Sequence, residues 1–141
     1  MVRQMKDLSE YAGGSFWPRI VCGCRILGEP VSKERPRVTS RKGKSITYTP
    51  ERTRVAERSI AWEVVAQNSG IAMDAGLDFR VDVLFVSKSN RRKDIDNLIK
   101  LVLDALNGVV YEDDSQVVEI HAVMARGSAE EPRTDIIIWG K

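Results

Sequence analysis

Two groups of carboxylates frame one apolar-periodic segment of this chain. Asp94 and Asp96 stand two residues apart at its start, and Glu112, Asp113 and Asp114 follow its end. Carboxylate oxygens gathered at one point attract hard divalent cations, and an all-oxygen site suits Mg²⁺ or Mn²⁺ rather than zinc. Beside positive charge such an ion serves phosphodiester cleavage, because it activates water and offsets charge on the phosphate. Positive charge is at hand: Lys88, Arg91, Arg92 and Lys93 precede Asp94. A denser basic stretch lies upstream, with Lys33, Arg35, Arg37, Arg41, Lys42, Lys44, Arg52 and Arg54 against Glu34 and Glu51. The net charge is only +2, so the case for a nucleic-acid partner rests on this local concentration.

Asp94 and Asp96 can act together only on a particular backbone. On a helix, side chains two positions apart point about 200° away from each other, so the pair must straddle a helix start. Ile95, Leu98, Ile99, Val102, Leu103 and Leu106 supply that helix by their i, i+3, i+4, i+7 spacing, and Asn107-Gly108 ends it. Its amino-terminal dipole favours the two acids. Lys100, at i+4 from Asp96 and off the apolar stripe, can steady a scissile phosphate or pair with Asp96 or Asp104. A chain returning along the helix after Gly108 would carry Asp113 and Asp114 back towards Asp94 and Asp96. Residue type alone leaves those two competing for the ligand role. Taken singly, an Asp-x-Asp is usually an N-cap and a Glu-Asp-Asp-Ser usually a surface turn. Their coexistence around one amphipathic helix carries the reading. His121 lies within a predicted strand and reads as structural.

The remaining elements must hold that helix in place. Arg19 to Leu27 reads as a first strand, and Arg37–Ser40 with Ser45–Thr49 as a hairpin whose tip carries positive charge. Thr49-Pro50-Glu51 starts a helix that keeps Val55, Ser59, Trp62 and Ala66 on one side and stops at Asn68 and Gly70. Phe79 to Ser87 is a β-branched and aromatic strand, and Gln116–Ala125 and Thr134–Trp139 are two more, able to form an antiparallel pair. The order predicts an α+β fold: a mixed β-sheet packed against two main helices. With 141 residues and 43% hydrophobic composition, one domain over 19–141 is expected, preceded by a loose arm over 1–18. Cys22 and Cys24 would share one strand face, which suits buried thiols and not a disulfide. The amino terminus shows no apolar core of signal-peptide length, and no segment approaches a membrane span, so a cytoplasmic protein without membrane attachment is expected.

The run Arg92-Lys93-Asp94-Ile95-Asp96-Asn97-Leu98-x-Lys100, then Asp104-Ala105-Leu106-Asn107-Gly108 and Glu112-Asp113-Asp114-Ser115-Gln116-Val117, resembles the RusA family of Holliday-junction resolvases. Gly28-x-Pro30-x-Ser32-Lys33-x-Arg35-x-Arg37 resembles that family's early strand and basic loop, so the similarity spans about Ile20 to Trp139. The resemblance implies a homodimeric, Mg²⁺-dependent endonuclease, with Mn²⁺ able to substitute, that makes paired nicks in four-way and other branched DNA during recombination and repair. It also implies that Asp94, Asp96 and Asp114 are the essential acids, with Asp113 a further candidate metal ligand, and that Lys100 is the essential lysine. Lys33, Arg35, Arg37, Arg41, Lys42, Lys44, Arg91, Arg92 and Lys93 are the expected DNA contacts. For the dimer contact, Phe16, Trp17 and Trp139 are candidates. Two alternatives stand beside this reading: a branched-DNA-binding module of the same fold without turnover, such as a prophage remnant, and a less specific flap or branched-DNA nuclease.

Overall fold

The computed structural model describes residues 16–141; most of the expected arm over 1–18 therefore lies outside the described residues. Strand β1 covers Arg19–Leu27, and a hairpin follows of β2, Arg37–Arg41, and β3, Lys44–Tyr48. Helix α1 is Glu51–Gln67, strand β4 is Phe79–Val86 and helix α2 is Ile95–Leu106. A 3₁₀ turn at Asp114–Gln116 then leads into β5, Val117–Ala125, and the chain closes on β6, Arg133–Gly140. The fold is α+β, and the element order matches the sequence expectation.

Sheet order is β1-β6-β4-β5, with β2 and β3 standing apart as a two-stranded ribbon. Strands β5 and β6 do not pair with each other, contrary to the sequence reading. Strand β4 lies between them, antiparallel to β6 and parallel to β5. The cause is the segment joining β4 to β5, which contains α2: a helical crossover returns the chain to the same sheet end and so makes the strands parallel. All eight residues of β4 are buried, as a central strand covered on both faces requires.

The core on the helical face joins Phe79, Val81, Val83 and Phe85 of β4 to Leu98, Leu101, Val102 and Leu106 of α2. Helix α2 buries Leu98, Ile99, Val102 and Leu106 of the stripe that its spacing predicts, with Ile95 exposed and Leu103 half-buried, and truncating one of the buried leucines costs about 2–5 kcal/mol by the usual cavity argument. Helix α1 turns a different face inward from the one expected. Thr53, Ile60 and Val64 are buried, whereas Val55 and Trp62 are exposed, Trp62 at 69%. Apolar residues are spread around this helix, so periodicity alone selected the wrong side. Val64 fits the core, and Asn68 at the helix end binds the backbone of Gly23 in β1.

The opposite sheet face carries charge under cover. Asp135 accepts from Arg25 at 2.6 and 2.7 Å and from Arg133 at 2.9 Å, and Asp82 accepts from Arg80 at 2.9 Å and from the Trp139 indole at 2.8 Å. Trp17 is buried and donates to Glu119 at 2.8 Å. Trp17 is thus buried within the chain and Trp139 is half-buried, while Phe16 stays exposed. Cys22 and Cys24 are free, buried thiols on one strand face, as predicted.

Candidate active site

Helix α2 starts at Ile95, between the two acids, with Asp94 in extended conformation as its N-cap residue. The Asp94 side chain makes no capping hydrogen bond, so its carboxylate is available to a ligand. Asp96 lies in the first turn, and both acids are exposed, as is Lys100 one turn further on. Asp94 thus occupies the N-cap position without capping the helix through its side chain.

The approach to Asp94 is fastened at several points. Glu29 accepts from the Ser87 hydroxyl at 2.7 Å and from the Lys88 N–H at 2.9 Å. These bonds, the Ser87 side chain first, hold the Glu29 carboxyl below its ordinary range. Gly127 N–H donates to the Ser89 carbonyl at 3.1 Å, and the Lys93 ammonium donates to the Pro30 carbonyl at 3.0 Å. Beside this loop runs a groove of about 690 Å³ lined by Glu29, Ser32, Glu34, Arg52, Lys88, Ser89, Arg91 and Lys93. Arg52 and Lys88 entered the sequence reading only as charge. Their place in the groove depends on the first turn of α1 facing the β4–α2 loop.

The other expected contacts divide into two sets. Arg35, Arg37, Arg41, Lys42, Lys44, Arg91 and Arg92 are exposed, the hairpin turning at Lys42 and Gly43 with φ of 53° and 72°. Positive φ at both central residues defines the type I′ turn that suits a two-residue hairpin. Arg37 lies 3.5 Å from Glu34. Lys33, by contrast, is half-buried with its ammonium on Asp104 and 3.6 Å from Glu57. Burial alone would lower its pKa, but the hydrogen bond and charge of Asp104, with Glu57, outweigh that and leave it raised. Lys33 clamps the basic segment to both helices, a tertiary ion pair that takes Asp104 away from Lys100.

The second acidic cluster does not return to the first within one chain. After Leu106 the backbone closes tightly, Val109 and Val110 donating to the Leu106 carbonyl at 3.0 Å and Tyr111 donating from its hydroxyl to Leu103 at 2.7 Å. Asp113 and Asp114 therefore stay at the carboxyl end of α2, near the start of β5. Twelve helical residues separate the two ends, which is about 18 Å. The Tyr111 phenol records this placement: its pKa is pushed far up by burial, and then by the charges of Asp114, Asp104 and Asp113. Among the described residues, no three His, Cys, Asp or Glu side chains come close enough to hold a metal ion.

Asp113 and Asp114 are chemically distinct. Asp113 caps the 3₁₀ turn, accepting from Ser115 N–H at 3.1 Å, and Gln116 completes a capping box by accepting from the Asp113 N–H at 3.4 Å. Hydrogen bonds from Ser115, side chain before backbone, lower its pKa. Asp114 has no such engagement in the turn and is half-exposed. His121 sits in β5, 3.4 Å from Glu119 and on the sheet face opposite the helices, remote from both acidic groups.

A structure-bearing helix with exposed acids at both ends, a basic groove and a basic ribbon describes a class of phosphodiester-cutting domains, and comparison with known proteins names the family. Residues 28–139 match the model for endodeoxyribonuclease RusA. The chain is 30% identical to the crossover junction endodeoxyribonuclease RusA of Aquifex aeolicus (strain VF5), over 67% of this chain and 72% of that protein. It is 31% identical to the uncharacterized protein YqaN of Bacillus subtilis (strain 168), over 80% of this chain and 92% of that protein. This chain belongs to the RusA endodeoxyribonuclease family. No helix among the described residues is long and apolar enough to cross a membrane.

Proposed function

We propose that this protein is a Mg²⁺-dependent, cytoplasmic, homodimeric endonuclease that resolves four-way DNA junctions by paired nicks. The observation that carries the reading is the pair of exposed carboxylates, Asp94 and Asp96, at the start of α2 beside a groove lined by Arg52, Lys88, Arg91 and Lys93. All of the candidate donors are carboxylate oxygens, which fits Mg²⁺, with Mn²⁺ able to substitute. When bound, the ion supplies a Lewis acid that lowers the pKa of water and offsets charge on the scissile phosphate.

Asp94 and Asp96 of one chain and Asp114 of a second copy would hold that ion. The separation of the two acidic groups by the length of α2 supports this division, because ligand oxygens around one Mg²⁺ lie within about 4 Å of each other. Asp113 is engaged as a cap, which favours Asp114 as the ligand. Lys100 projects its ammonium from the same helix one turn from Asp96, where it offsets charge building on the phosphate. The basic groove and the hairpin cations Arg41, Lys42 and Lys44 bind phosphates on either side of the cut, and the fastened 87–93 loop spares the site an ordering cost on binding. Two equivalent sites related by a dyad match a substrate with its own approximate two-fold symmetry.

The test is cleavage of a labelled four-way junction beside linear duplex and flap controls, with Mg²⁺ or EDTA, for the native chain and Asp96→Asn. Symmetrical nicks confined to the junction, present only with Mg²⁺ and lost in the variant while binding persists, are the expected result. Binding without cleavage in either metal would leave a binding module. Equal cutting of flaps would leave a less specific nuclease.

A further inference from the structure

Gln116 ends the second acidic cluster, and its side chain reaches well beyond the capping box. The carboxamide oxygen accepts from the Glu112 N–H at 3.0 Å and from the Asp113 N–H at 3.4 Å. The nitrogen donates outward, to the Asp74 carbonyl at 2.9 Å and to the Leu77 carbonyl at 3.0 Å. A carboxamide has two donor hydrogens and two acceptor lone pairs, so this one has every position filled. Those two carbonyls belong to a turn on the segment between α1 and β4. Within it, Leu77 N–H donates to the Asp74 carbonyl at 3.3 Å and Gly76 N–H to the Asp74 carboxylate at 2.8 Å. Asp78 exchanges a reciprocal backbone pair with Lys141 at 2.9 and 3.1 Å, and Leu77 packs against the core. The turn that receives Gln116 is therefore itself anchored to the end of the sheet.

The acidic turn has little else to hold it. Glu112, Asp113 and Ser115 are exposed. The Ser115 N–H bond to the Asp113 carboxylate and the Gln116 N–H bond to the Asp113 carbonyl both lie inside the turn. Among the described residues, Gln116 makes every hydrogen bond that runs from a side chain of 112–116 to another segment. Tyr111 on one side is buried, and Val117 on the other pairs with Phe79. Between these two anchors, one carboxamide ties the backbone that carries Asp114 to the rest of the fold.

We propose that Gln116 is a positioning residue for cleavage, holding the 112–115 turn on the Asp74–Leu77 turn so that the Asp114 carboxylate is presented to the metal ion in one place. The inference rests on the reading of Asp114 as a ligand given above. A carboxylate on an unbraced turn has to be ordered as the ion binds, and the entropy lost in doing so weakens binding. Groups that orient a metal ligand from behind commonly matter by about 10- to 100-fold in metal affinity or activity. Asp113 has a different part: its carboxylate bond is internal to the turn, so losing it loosens the turn and leaves the tether to Asp74 and Leu77 in place.

The test compares the full native chain with Gln116→Met, similar in length but without the amide, and with Gln116→Glu, which keeps the acceptor oxygens and loses both donors. Junction cleavage is followed across a Mg²⁺ titration, and backbone hydrogen exchange is read by NMR. Gln116→Met is expected to raise the Mg²⁺ concentration for half-maximal cutting by about 10- to 100-fold, with cutting recovered in excess Mg²⁺. The Glu112 and Asp113 amides should lose protection while those of β4 and α2 keep theirs. Gln116→Glu should shift the Mg²⁺ requirement in the same direction, although its added negative charge alone would strengthen cation binding. If Gln116→Met does not fold, the Gln116→Glu titration decides. An unchanged Mg²⁺ requirement beside a native chain that cuts would overturn the positioning role alone, and so would a loss of cutting in the folded variant that excess Mg²⁺ does not restore. A native chain that cuts no junction at any Mg²⁺ concentration would instead remove the resolvase reading, and the positioning role with it.

Discussion

Mixing two inactive variants, Asp96→Asn and Asp114→Asn, should restore cleavage, because the structure keeps the two acidic groups apart within each chain. They lie at opposite ends of a helix of 12 residues, and no single ion bridges about 18 Å. If each site takes Asp94 and Asp96 from one copy and Asp114 from the other, a mixed dimer has one site lacking both altered carboxylates and one site intact. Random exchange makes about half of the dimers mixed, so the mixture should nick at about a quarter of the native rate per chain. The surviving cuts should also be single. A supercoiled plasmid carrying an extruded cruciform reports this directly: nicked circles accumulate in the mixture, while the native chain produces linear DNA by paired incision. Subunit exchange is verified by co-purification of differently tagged chains. Exchanged but inactive mixtures would show that each chain builds its site alone, and the placement of Asp114 in the partner would be wrong.

Three further outcomes follow from the same structure. Asp113→Asn should lower the melting temperature by loosening the capped 3₁₀ turn yet still cut, whereas Asp114→Asn should abolish cutting with the melting temperature unchanged; thermal melts and junction assays on the two variants separate them. Lys33→Met should lower unfolding free energy by about 1 kcal/mol through loss of its partly buried ion pair, read from urea midpoints, while leaving the salt dependence of junction binding intact; Arg41→Ala should instead reduce that salt slope by about one. The Glu29 lock on Ser87 and Lys88 should depend on acid: because its folded pKa is lowered, its stabilisation is full above the ordinary value of 4.5 and is lost as pH falls through the lowered one. The urea-midpoint gap between the native chain and Glu29→Gln should be constant near neutral pH and vanish in acid.

Much of this protein is local and therefore legible without coordinates. Ile95, Leu98, Ile99, Val102, Leu103 and Leu106 fix α2 by spacing, and all but Ile95 and Leu103 are buried there. The eight-residue run of β4 reads as a strand, and the alternation of Cys22 and Cys24 places both thiols inward. The acids at the start of α2 follow from one helix boundary. These features depend on neighbours a few residues away, where backbone periodicity decides orientation.

What tertiary structure alone decided involves partners distant along the chain. Lys33 looked like any other cation of its basic stretch until Asp104, 71 residues on, claimed its ammonium. Helix α1 had two comparably apolar sides, and only the fit of Ile60 and Val64 to the sheet chose between them. Strand β4 separated β5 from β6 because a helical crossover enforces parallel pairing. The same crossover carries Asp114 to the far end of α2 and leaves the β5 edge open, two facts about relative position in space that no spacing of residues records.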